Sequence, residues 1–131
     1  ARDQLAALLT MTKAEAGKVN GGMYAFLLRV TREARLPAAV PLTRWGATHV
    51  NNFVRKEALV TLGALQDTGG IPFCVGRLED EVPSVRKAAL ACLQQITGTH
   101  TRSRPEDWRA WCQKRGCLEG FPKGAKSPGK K

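Results

Sequence analysis
The chain has 131 residues, of which 43% are hydrophobic, and a formal net charge of +10. That is one domain's worth of protein with enough apolar side chain for a core, and no apolar run approaches the roughly 18 residues that a membrane-spanning helix needs. Counted along the chain, Lys and Arg against Asp and Glu give +3 over residues 1–35, +1 over 36–70, zero over 71–98 and +6 over 99–131. The excess therefore belongs to the ends, above all the last third, which argues against a basic groove running through the middle.

In chain order, residues of about 5–35 predict a helix using Leu5, Leu8, Leu9 and Thr12, and then a turn at Lys18-Val19-Asn20-Gly21-Gly22. A second helix with Met23, Phe26, Leu27 and Val30 on its inner face stops before Pro37. Residues 40–68 repeat the pattern: a helix over about Val40 to Ala47, a turn at Thr48 to Asn52, and a helix capped by Asn51 or Asn52 with Val54, Ala58, Leu62 and Leu65 inward. Over 71–98, Ile71, Cys74, Val75 and Leu78 draw one apolar stripe, and Glu79 to Ser84 breaks the chain. Val85, Ala89, Leu93 and Ile96 then line a second helix that Gly98 ends. Each unit reads as an αα-hairpin.

The second and third units are copies. Val54-Arg55-Lys56-Glu57-Ala58-Leu59 recurs as Val85-Arg86-Lys87-Ala88-Ala89-Leu90, and the register also pairs Val40 with Ile71, Pro41 with Pro72 and Leu65 with Ile96. A further step back by the same interval puts Met23 under Val54 and Asn20 under Asn51, a degenerate first copy without the Val-Arg-Lys element. Helical patterning at a period in the twenties to forties predicts an all-α solenoid, whose units bury their apolar faces by stacking on one another.

After Gly98 comes a polar, basic connector, and Ser103-Arg104-Pro105-Glu106 has the form of a capping box. It opens a predicted helix over 105–115 with Trp108, Trp111 and Cys112 on a common face. Residues 117–131 are rich in Gly, Pro and Lys, with too little apolar surface to offset the entropy of ordering; the expected organisation is a repeat domain over 1–116 and a flexible basic tail. Cys74, Cys92, Cys112 and Cys117 contain no CxxC, so four free thiols used as small apolar residues are the plain expectation. A Cys74–Cys92 disulfide is the alternative, and zinc finds only His49 and His100, without ligand spacing.

Residues 71–98, IPFCVGRLEDEVPSVRKAALACLQQITG, resemble a HEAT repeat: proline early in the first helix, an acidic turn, then Val-Arg with Ala and Leu four and eight residues after the Val. The 40–68 unit resembles it less fully, with His49 where Asp80 stands in the next copy. The resemblance implies a short right-handed solenoid of about three antiparallel helix pairs that binds proteins and seldom catalyses. It also implies a structural ladder between successive units, which maps onto Arg55, Asp80 and Arg86. The 105–115 helix resembles the segment that closes some bacterial HEAT arrays; two indoles covering the last repeat is one reading of it, and a partner-binding hot spot is the other.

No phosphate-binding glycine loop, HExxH or GxSxG occurs, and Glu79, Asp80 and Glu81 are adjacent in a turn, which scatters their directions. Catalytic, cofactor and metal residues are therefore expected to be absent. The expected function is a protein-interaction module, a small scaffold or accessory subunit in a heteromeric complex. Its candidate contact residues are Trp45, Lys56, Lys87, Trp108, Trp111, Phe121, Lys123 and Lys126. Nucleic-acid binding through the basic C-terminal third is the alternative, since Arg and Lys there could contact phosphates.

Overall fold
The computed structural model describes residues 11–98 and 104–115, and all regular structure among them is helical. Seven α-helices follow one another: α1 (Lys13–Ala16), α2 (Gly21–Ala34), α3 (Val40–Gly46), α4 (Asn52–Leu65), α5 (Ile71–Gly76), α6 (Pro83–Thr97) and α7 (Pro105–Arg115). Leu5, Leu8, Leu9 and the whole tail lie outside the described residues. Thr12, read from spacing as part of a first helix, instead caps α1: its hydroxyl accepts from the Glu15 N–H while the Glu15 carboxylate accepts from the Thr12 N–H. Thr-x-x-Glu is a capping box, and it was legible in the residues themselves.

The three long helices are started and stopped by local chemistry. Asn20 and Asn51 cap α2 and α4 through their side-chain oxygens, which take up orphan backbone donors of the first turn. At α6 the proline expected to sit in the turn is the first helical residue, where its missing N–H costs nothing and its φ is already helical. The C-terminal ends use left-handed residues: Arg35 at φ 51°, Gln66 at φ 52° and Gly98 at φ 74°. Only the last is a glycine, yet the other two each reach the end of the following long helix. Arg35 donates to the Ala64 carbonyl at 3.0 Å and Gln66 to the Gln95 carbonyl at 3.3 Å, so the same joint is made twice, one unit apart.

The helix α4 packs on α2 to one side and on α6 to the other, while α3 packs on α4 and α5 on α6. Gly63 permits the close approach of α4 to α6: a Cβ there would lie 3.3 Å from the Cys92 Cα and would collide with the Gln95 side chain. The core is continuous through these helices, with Leu27, Leu28, Leu42, Val54, Leu59, Leu62, Val85 and Leu93 almost wholly buried. Burial of such side chains contributes about 1.5–3 kcal/mol each and is the main stabilising term.

The inner face of α2 differs from the one spacing suggested. Tyr24, Leu27, Leu28 and Thr31 are buried, again at i, i+3, i+4 and i+7, whereas Met23 is 46% and Phe26 51% exposed. Both stripes have helical periodicity, and the choice between them was made by neighbours. Tyr24 has a place beside Gly46 of α3, where its hydroxyl donates to the Leu42 carbonyl at 2.7 Å.

Candidate interaction surface
Arg55 and Asp80 meet across the joint between the second and third units. The Arg55 Nε donates to one Asp80 oxygen at 2.8 Å and Nη2 to the other at 3.1 Å, while Nη1 donates to the carbonyls of His49 and Val50 at 2.9 and 3.0 Å. Arg77 and the Val82 N–H complete the set of donors to Asp80, at 3.2 and 2.9 Å. Burial alone would raise the Asp80 carboxyl, but the hydrogen bonds from Arg55 and Val82 and the charges of Arg55 and Arg77 outweigh it and hold the group below its usual range. A guanidinium making four hydrogen bonds and a carboxylate accepting four form a clamp between two turns and two helices.

The same place one unit earlier holds different chemistry. Tyr24 stands at the position of Arg55 and His49 at that of Asp80, and their rings meet edge to face with centroids 5.1 Å apart. The His49 Nδ1 accepts from the Asn51 N–H at 3.0 Å, as the Asp80 carboxylate accepts from Val82, so the imidazole carries its proton on Nε2. Burial, and then the charge of Arg55, push the His49 pKa down. At the third position, Arg86 repeats only the backbone half of the clamp. Its Nη1 donates to the Asp80 carbonyl at 2.7 Å, and among the described residues no carboxylate meets the rest of the fork.

Glu79 and Asp80 serve separate partners, Arg109 of α7 and Arg55 of α4, while Glu81 is exposed. This acidic turn therefore ties α4 and α7 to the third unit. Among the described residues no group of three or more His, Cys, Asp or Glu could hold a metal ion. Cys74 and Cys92 are buried free thiols side by side, and burial first, then the neighbouring Cys92, raises the Cys74 thiol well above its usual value. Cys112 is disulfide-bonded, which corrects the expectation of a free thiol there, while Cys74 and Cys92, the pair for which a bridge was the alternative, are both free.

The candidate contact residues separate on their exposure. Trp108 is fully buried, with Trp111 half-buried against it at 5.6 Å between centroids, so α7 turns its indoles inward and Trp108 offers no surface to a partner. Trp45 is half-buried as well, in a cleft of about 220 Å³ shared with Tyr24, His49 and Lys13. Lys56 is half-buried and Lys87 exposed, and neither makes an ion pair with a described residue. Phe121, Lys123 and Lys126 lie outside the described residues.

Sequence spacing did not single out the outer faces of α2 and α4. Phe26, Phe53 and Val60 are 51%, 48% and 38% exposed, large apolar side chains on the side of the long helices away from α3. The signal was available in the repeat: Phe53 and Val60 align with Ser84 and Ala91, so they are apolar where the next copy, with the same core, is polar or small.

The HEAT repeat family model matches residues 71–100. This chain carries a HEAT repeat. The match covers α5, the acidic turn and α6, the unit whose Asp80 receives Arg55 from the unit before it. No curated protein and no solved structure matches the chain. HEAT repeats are in general protein-interaction modules.

Proposed function
We propose that this HEAT-repeat protein is a non-catalytic interaction module, a short right-handed solenoid of antiparallel helix pairs that serves as a small scaffold or accessory subunit of a larger assembly. The observation that carries this reading is the outer face of α2 and α4, where Phe26, Phe53 and Val60 remain in water although the same helices bury Tyr24, Leu28, Leu59 and Leu62. Large apolar side chains grouped on one face, with polar residues around them, mark a surface that gains from being covered. The arginine clamp supports the same reading, because it holds successive long helices in a set relation and so keeps their outer faces in register.

The alternative of nucleic-acid binding through the C-terminal third draws little from the described part of that segment. Arg104 is held by Asp107 at 3.1 Å, and Arg109 by Glu79 of the acidic turn. A gentle native purification, with one half treated with nuclease and both eluted on a salt gradient, separates the readings. Stoichiometric protein companions that survive nuclease are the expected result. Isolation of the chain alone would overturn the module, and companions lost with nuclease would move the function to nucleic acid.

A further inference from the structure
The outer face of the long helices is charged as well as apolar. On α4, Phe53, Lys56 and Val60 fall at i, i+3 and i+7, one stripe opposite the buried Val54, Ala58 and Leu62. The helix α3 lies on that opposite side, where Gly46 comes within contact of Ala58. Arg29 on α2 is the counterpart of Val60 one unit back, and Lys87 on α6 is the counterpart of Lys56 one unit on. Since α2 and α6 flank α4, Arg29, Phe53, Lys56, Val60 and Lys87 belong to a single face three helices wide, and Phe26, the counterpart of Glu57, borders it one turn before Arg29.

Its cations have no side-chain partner among the described residues, unlike most of the arginines there. Among the described residues the other arginines donate to acceptors of the chain itself: Arg32 to Glu57 and Thr61, Arg44 to Asp67, Arg55 and Arg77 to Asp80, and Arg109 to Glu79, while Arg35 and Arg86 take backbone carbonyls and Arg104 takes Asp107. Arg29, Lys56 and Lys87 have no such partner among the described residues. Of the carboxylates nearby, Glu57 is neutralised by Arg32 at 3.2 Å, and Glu33, one turn beyond Arg29, forms no ion pair with it. The face is thus net positive around an apolar centre.

We infer that this face docks an acidic amphipathic segment of a partner protein, one with apolar side chains every three or four residues and Asp or Glu beside them. The partner's apolar side chains cover Phe26, Phe53 and Val60, and its carboxylates meet Arg29, Lys56 and Lys87. Covering apolar side chains supplies the affinity, and complementary charge at the rim supplies orientation and selection. Charge complementarity favours this occupant over nucleic acid: three cations neutralise few phosphates, Glu33 stands in the same face, and Val60 has no π surface for a base to stack on. The inference rests on the interaction-module reading and names the kind of partner.

The test titrates the full chain with two labelled sixteen-residue helical peptides that share a leucine stripe and differ only in having Glu or Lys at the flanking positions. The Glu peptide binds and the Lys peptide does not, while in the variant R29E/K56E/K87E the preference reverses. In F26S/F53S the affinity for the Glu peptide falls by about tenfold or more. All the substituted side chains are half-buried or exposed, and circular dichroism checks that the variants stay folded. Equal binding of both peptides to the parent chain, or a Glu preference that survives the charge reversal, would overturn the inference. So would a short RNA that binds the parent, is lost in R29E/K56E/K87E and is kept in F26S/F53S. Failure of the broader reading looks different: if the acidic partner is wrong and the module is right, native companions are retained by R29E/K56E/K87E and lost from F26S/F53S, whereas if the module itself is wrong no stoichiometric companion is present at all.

Discussion

Two equivalent places in this molecule solve one problem with opposite chemistry. Between the second and third units a buried ion pair, Arg55 with Asp80, joins the turn to the preceding long helix; between the first and second the same positions hold Tyr24 and His49. Both turns retain the backbone N–H bond to the side chain two residues earlier, Asn51 to His49 and Val82 to Asp80. The scaffold therefore needs an acceptor at that turn, and it tolerates either a carboxylate or a neutral imidazole. What changes is the group facing it. A carboxylate this well buried requires the guanidinium, whereas an imidazole lets a large aromatic side chain fill the space and add to the core.

Truncation at the three equivalent positions sharpens that comparison. Tyr24→Ala should cost the most, about 4 kcal/mol, because it empties a site that is 1% exposed and removes the hydroxyl's bond to the Leu42 carbonyl. Next comes Arg55→Ala at about 3 kcal/mol, since Asp80 is then left buried with Arg77 as its remaining cation. Arg86→Ala, which removes one bond from an exposed side chain to a carbonyl, should cost under about 1 kcal/mol. Urea denaturation followed by helical circular dichroism gives all three values, and equal costs at 55 and 86 would show that the carboxylate contributes nothing.

Acidity separates the two clamps with smaller effects. The folded Asp80 carboxyl is depressed, so its contribution is complete above the ordinary carboxylate range and is lost as pH falls through its folded value, below about pH 4. The folded His49 is depressed too, but for a base this means that the unfolded chain takes up the proton first. Stability contributed there is complete above about pH 6.5, declines below it, and levels off once the folded imidazole is also protonated. Stability measured from pH 8 to pH 3 should fall in two stages, with His49→Asn removing the upper and Asp80→Asn the lower. A single stage that ignores both substitutions would break the comparison.

Much of the architecture was legible because its causes are local. Asn20 and Asn51 name the starts of α2 and α4, Gly98 names the end of α6, and Pro105 opens α7, each through interactions within about one turn. The surface was less legible. Trp108 suits a cap first and a contact surface second, since an indole serves both, and Phe26 passes for a core residue because phenylalanine at helical spacing usually is one.

From the sequence by itself follow the repeat, the helical class, the extents of most helices and the HEAT-like turn, since periodicity, caps and composition act over a few residues. Only the tertiary structure decided that α2 buries Tyr24 and leaves Phe26 in water, that Arg55 finds Asp80 while Arg86, among the described residues, finds only a carbonyl, and that Trp108 turns inward. The partners of Tyr24 and Arg55, the Leu42 carbonyl and Asp80, lie 18 and 25 positions away in the chain. A helix carries several candidate faces of the same period, and packing selects among them by which neighbour fills the space and which buried polar group finds its partner.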